Sequence, residues 1–194
     1  MEDLKIKLLL FDKLTKDSKR NYSSYLTKKS FKKSDFFVKR GDISEHYYIL
    51  TKGVARSYLL DNTGKEHTRT IFTPITTAGS LSSLILKTPS ELAYECLTDC
   101  EFYIGDFNKF QSLSRKKLDF SIQYSSFLEK IALKMEIRVT DLSTLNATER
   151  YLKLQKEIPE IENLITQYHI ASYLNISPVQ LSRIRKEIIK KRLY

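Results

Sequence analysis

The segment from Thr166 to Arg192, TQYHIASYLNISPVQLSRIRKEIIKKR, constrains the fold of this chain more than any other. It carries the start signals of two consecutive short helices joined by a turn of about three or four residues. Ile170, Ala171 and Leu174 recur at helical spacing and form the buried face of a first helix. Asn175 follows, the residue after glycine that best tolerates a left-handed helix end. Ile176 turns inward as a plug, Ser177 is suited to cap the next helix, and Pro178 stands at its first position, where a missing N–H costs nothing.

Leu181, Ile184 and Ile188 give the second helix an apolar stripe, while Val179, Ser182, Arg183, Lys186 and Lys190 share the opposite face. Six basic residues follow Ser177 against one acid, Glu187. A helix of this kind can lie in a DNA major groove, as the second helix of a helix-turn-helix does. The alternative on the same residues is an amphipathic hairpin with a solvated basic face.

The formal charge of +10 is unevenly placed: residues 1–40 carry a net +7, residues 41–144 a net −1, and residues 145–194 a net +4. A basic C-terminal module fits a polyanion such as double-stranded DNA. No apolar run approaches the ~20 residues of a membrane span. The N-terminal MEDLKIKLLLFDKL is too short in its apolar part and too mixed in charge for a secretion signal, so a cytoplasmic protein without membrane partners is expected. Cys96 and Cys100 are too few for a disulfide framework and are expected as buried packing residues. His46, His67 and His169 are scattered and form no metal pattern, so neither metal nor cofactor is expected, and no enzyme activity.

Along its length the chain divides in three. From about Phe31 to Ile104, short β-type runs alternate with turn signals: Tyr47–Leu50, Val54–Leu60, the turn Asp61-Asn62-Thr63-Gly64, His67–Phe72, Leu92–Thr98 and Phe102–Ile104. Such spacing predicts a small β-barrel or jelly roll, with Asp106 then capping a short helix through Leu113. Residues 117–145 lack Gly and Pro and predict one long helix. On it Tyr124, Leu128, Ile131, Met135, Arg138, Leu142 and Leu145 alternate steps of four and three, the seam of a coiled coil, which predicts a homodimer. Asn146-Ala147-Thr148-Glu149 reads as a capping box opening a third unit, and Pro159 closes its first helix. The expected divisions are 1–116 for a sensor barrel, 117–145 for the dimerisation helix and 146–194 for the helix-turn-helix, an α+β chain overall.

With these pieces in this order the chain resembles the Crp/Fnr family of bacterial transcription regulators, over nearly its whole length. The barrel part of the resemblance lies in Lys39-Arg40-Gly41-Asp42, Tyr47-Tyr48-Ile49-Leu50 and Lys52-Gly53-Val54-Ala55-Arg56. Leu145–Leu154 is similar to the family's entry into its DNA-binding domain. Ile170-Ala171-Ser172-Tyr173-Leu174 and Leu181-Ser182-Arg183-Ile184-Arg185 look like its recognition elements, especially in Bacteroidetes-type members.

The resemblance implies a homodimer on a palindromic promoter site, a barrel sensing a small-molecule effector of unknown identity, and RNA polymerase as a further partner. Carried over by position, Pro178, Val179, Ser182 and Arg183 face base edges, with Arg183 suited to a bidentate bond to guanine. Arg185, Lys186, Lys190, Lys191 and Arg192 meet phosphates, Arg185 being also open to an internal pair. The effector pocket falls on Gly79, Ser80, Leu81, Leu92 and Ala93.

Two departures from the family stand out. Cyclic-nucleotide-binding members place a Gly-Glu pair and then an Arg-Ser/Thr pair around the sugar and cyclic phosphate. Here Ser80 replaces the acid and no arginine lies between Arg69 and Arg115, so a cyclic phosphate would lack its charge-assisted partner and cyclic AMP is not expected as effector. Lys87 could substitute only with a different loop arrangement. The sequence also ends at Tyr194, so a mostly helical module with little room for a β-hairpin wing is expected, its backbone grip falling on Lys190–Arg192. The competing reading is a cupin-like barrel acting as a small-molecule-binding or interaction module without DNA binding.

Overall fold

The computed structural model describes residues 10–192, with side chains through Lys190. Its first half is a jelly roll of two four-stranded antiparallel sheets. One sheet has the order β1-β8-β3-β6, from β1 Thr27–Phe31, β8 Cys100–Asp106, β3 His46–Lys52 and β6 Thr76–Ala78. The other has the order β2-β7-β4-β5, from β2 Phe36–Val38, β7 Ala93–Cys96, β4 Ala55–Leu60 and β5 Glu66–Phe72. Helix α1, Lys16–Ser23, precedes the barrel, and α2, Leu81–Leu86, lies between β6 and β7.

The strongest turn signal folds as its chemistry requires. Asp61 accepts from the Thr63 and Lys65 amides through Oδ1, and the β4–β5 hairpin closes over it. The expected β-region begins four residues late, at Phe31 rather than Thr27. β1 is an edge strand whose TKKS residues are exposed, so it carries no apolar alternation to betray it. Short β2 and β6 escape notice for lack of length.

Alternation along β3 divides two cores. Tyr48 and Leu50 turn into the barrel with Phe37, Phe72, Tyr94, Cys96, Cys100 and Phe102. Tyr47 and Ile49 turn outward into a helical layer with Phe110 and Phe120. Tyr47 crosses Gly105, where even a methyl group would collide with its ring, and its hydroxyl meets that of Tyr22 on α1 at 2.7 Å. Both cysteines are free and buried, as expected of packing residues.

Helix α3 runs Phe107–Lys116, capped by Asp106, which accepts from the Lys109 amide at 2.9 Å. Helix α4 then spans Leu118–Thr144, within one residue of the expected range at either end. The capping box at Asn146 and Glu149 forms in full and opens α5, Ala147–Glu157. After a single turn α6, Ile161–Leu164, come α7, Gln167–Leu174, and α8, Pro178–Arg192. Among the described residues no strand follows β8. Tyr151, Leu154, Ile161, Ile170, Leu174, Leu181 and Ile184 form a third core, which Val54, Ile71 and Leu97 of the barrel join, so the C-terminal unit shares buried surface with the barrel.

Candidate nucleic-acid interface and sensor barrel

The turn between α7 and α8 has the anticipated construction. Asn175 takes the left-handed conformation at φ 56 and ψ 46 and ends α7. Ile176 packs against the core beneath it. Ser177 Oγ accepts from the Gln180 amide at 3.1 Å and Pro178 begins α8. Leu181 and Ile184 anchor this helix in the core. Pro178, Val179, Arg183, Lys186 and Lys190 are exposed and Ser182 half-buried, so the face expected to meet DNA is open. The side chains of Lys191 and Arg192 lie outside those described. Arg185 stands apart: its Nη2 pairs with Glu162 Oε2 at 2.8 Å, tying α8 to α6.

The expected seam on α4 divides. Tyr124 and Ile131 line a cavity against the barrel, and the Arg138 guanidinium stacks 4.1 Å over the Tyr173 ring while donating to the Tyr173 carbonyl. Arg69 of β5 reaches the sulfur of Met135. Leu128 is half-buried, and Leu142, with Val139 beside this stripe, is exposed.

The residues expected to form an effector pocket come together around β6, α2 and β7 and then divide: Gly79 and Leu81 line a cavity beside α4, while the other three are packed. Ser80 and Ala93 are buried, and Leu92 packs on the barrel interior. The Tyr94 hydroxyl donates to the Gly79 carbonyl at 2.8 Å, closing the barrel behind the loop. Burial pushes the Tyr94 hydroxyl up to about 12, so it stays protonated as that bond requires. Lys87 is turned away, its Nζ on Asn108 Oδ1 at 2.7 Å.

An arrangement that sequence reasoning missed joins barrel to helix-turn-helix. Arg56, 2% exposed, donates to Glu95 through Nε at 2.9 Å and Nη2 at 2.7 Å, and its Nη2 also lies 2.7 Å from Glu66 Oε2. Its guanidinium stacks on Tyr58 at 4.1 Å. Next to this cluster Ser172 of α7 accepts from the Thr68 amide at 2.9 Å and donates to the Glu66 carbonyl at 3.0 Å. The first helix of the motif is thereby hydrogen-bonded to β5, an edge strand. His169 on the same helix has a buried Nδ1 without a hydrogen-bond partner among the described residues, and burial together with the nearby Arg56 lowers its pKa to about 4. The available signal was Arg56 itself, a lone charge in the otherwise uncharged strand Ala55–Leu60. His67 pairs with Asp61 at 2.8 Å, far in role from His169, and among the described residues no three metal-ligating side chains gather.

Residues 28–117, which make up most of the barrel, match the model of the cyclic nucleotide-binding domain family. Solved structures of Crp/Fnr-type regulators share the fold of the chain as a whole. FixK2 from Bradyrhizobium japonicum is 16% identical over 86% of this chain and 85% of its own, at a TM-score of 0.76. The c-di-GMP-responsive regulator CLP from Xanthomonas campestris is 14% identical over 92% and 94%, at 0.73. A Crp/Fnr-family regulator from Eubacterium rectale is 16% identical over 94% and 87%, at 0.72. No curated protein matches the sequence. No described helix is long and apolar enough to cross a membrane.

Proposed function

We propose that the chain is a sequence-specific DNA-binding transcription regulator of the Crp/Fnr type, acting as a homodimer on a palindromic promoter site without cyclic AMP. The observation that carries the reading is the capped, core-anchored α8, with Val179 62% exposed and Arg183 and Lys186 open beside it. Arg183 is the base-reading cation in this reading, since Arg185 is engaged with Glu162. Lys186 and Lys190 meet phosphates, joined by Lys191 and Arg192, and Pro178, Val179 and Ser182 complete the base-facing surface.

The dimer uses α4 in a register turned from the one its sequence suggests. Ser125, Leu128, Ala132, Met135, Val139 and Leu142 alternate steps of three and four. Ser125, Ala132, Val139 and Leu142 are exposed, while Tyr124, Ile131 and Arg138 serve their own chain. RNA polymerase is then a partner at the promoter. The effector reading rests on the packed interior: aromatic rings fill the barrel, Tyr94 holds Gly79, and Lys87 is engaged with Asn108 rather than facing the loop.

Gel-shift with the DNA upstream of the protein's own gene tests this. The protein should retard that fragment in preference to random DNA of equal length, with no change on adding cyclic AMP. Equal retardation of both, or a requirement for cyclic AMP, would reject the reading.

A further inference from the structure

The cavity that Tyr124 and Ile131 line is not the barrel interior. It lies across the sheet, on the outer face from which Tyr47 and Thr77 project, between that face, α2, α3 and α4. Its volume is about 80 Å³, several times the ~10–15 Å³ one water needs. Among its described lining residues there is no Asp, Glu, Lys, Arg or His.

The polar groups in its wall are mostly satisfied within the chain. Gln123 accepts from the Lys13 amide at 3.0 Å and donates to the Leu10 carbonyl at 3.1 Å. The Tyr47 hydroxyl is taken by Tyr22. The rest of the wall is rich in rings: Phe11, Phe107, Phe110, Tyr124 and Phe127, with Phe110 edge-on to both Tyr47 and Tyr124 at 6.0 Å. Thr77 and Tyr124, each with a hydroxyl, are also among the lining residues.

We propose that this space between barrel and long helix binds a small uncharged molecule of one aromatic ring bearing at most a single hydroxyl-type group. Cavities with mostly apolar walls accept hydrocarbon rings. The surrounding aromatics offer a ring edge-to-face contacts. An ion would lose its hydration with no opposite charge to replace it, which excludes carboxylates and phosphates. One hydroxyl can be met by Thr77 or Tyr124. Since Tyr124, Phe127 and Ile131 follow at steps of three and four on one face of α4, an occupant bears directly on that helix. The step from occupancy to DNA output rests on the proposed function; the binding does not.

Phenol, with benzoate as its charged counterpart on the same ring, is the probe, used on the full chain without DNA. Phenol should bind saturably, raise the melting temperature in proportion to its excess over Kd, and show nuclear Overhauser contacts to the Tyr124 and Ile131 side chains. Benzoate should do neither. Leu81→Phe and Ile131→Phe, which fill the space, should each weaken phenol binding at least tenfold. Absence of saturable phenol binding, contacts elsewhere, equal binding of benzoate, or undiminished binding in the folded filled variants would overturn the proposal. Failure of the gel-shift above would leave this result untouched, so the two can be told apart.

Discussion

Single side chains carry most of the chemistry in this molecule, and Arg183 and Arg185 show how differently two neighbours can be used. Both belong to the basic C-terminal helix, yet Arg183 is exposed and Arg185 bonds Glu162. Arg183→Ala should cost ~1–3 kcal/mol on the preferred site and relax one base position. Competition titrations against single-base variants check this, and equal loss on preferred and random DNA would remove the base-reading role. Arg56 shows the other use of a cation, buried and held by two carboxylates, where removal of one partner costs far more than at the surface.

His169 gives the same interface a pH dependence. Its pKa is about 4 when folded, through burial first and Arg56 second, against about 6.5 unfolded. Between these values the unfolded chain binds more protons, so the contribution of His169 to stability is full above about pH 6.5 and falls on acidification toward 4. Urea unfolding midpoints from pH 7 to 4.5 should decline less in His169→Gln than in the unsubstituted protein. Parallel declines would show that this ring plays no part.

Elements differed in how plainly their sequence announced them. The α7–α8 turn was readable because Asn175, Ser177 and Pro178 each act locally, through backbone preference and capping, without help from the rest of the chain. Helix α4 was readable in extent, for want of any breaker, but not in facing. A spacing of three and four describes any apolar stripe, and only the packed chain reveals that Tyr124 and Ile131 face the barrel side while Val139 stands outward. Edge strand β1 left no trace because its exposed lysines carry no alternation. The Arg56–Glu66–Glu95 cluster was illegible for a different reason. Its three members come from three strands, and only the β4–β5 and β4–β7 register unites them.

The facing of α4 has its own test. Val139→Glu places like charges across the proposed seam, where they cost several kcal/mol, and should shift the protein to monomer in sedimentation velocity. A dimer persisting at the same concentration would place the joint elsewhere.

As a whole the molecule is a barrel and a helix-turn-helix bound through shared core and polar contacts, with a long helix between. Val54, Ile71 and Leu97 sit in the same core as Leu174 and Leu181. Ser172 and Arg138 fasten α7 from two sides, one to the barrel edge and one to the long helix. In the proposed function, events in the barrel layer reach α8 through these packed neighbours. The barrel's fold was legible as a series of strands and turns. The two observations behind the proposed absence of cyclic AMP differ in legibility: the missing arginine could be read from sequence, while the Tyr94 bond to Gly79 could not.

The central claim is that two copies of this chain read a symmetric DNA site. Selection of bound sequences from random double-stranded DNA by the full protein tests it most directly. The expected outcome is a two-fold symmetric consensus with half-site centres ~10 base pairs apart. An unsymmetric consensus, or no enrichment over the starting pool, would contradict it.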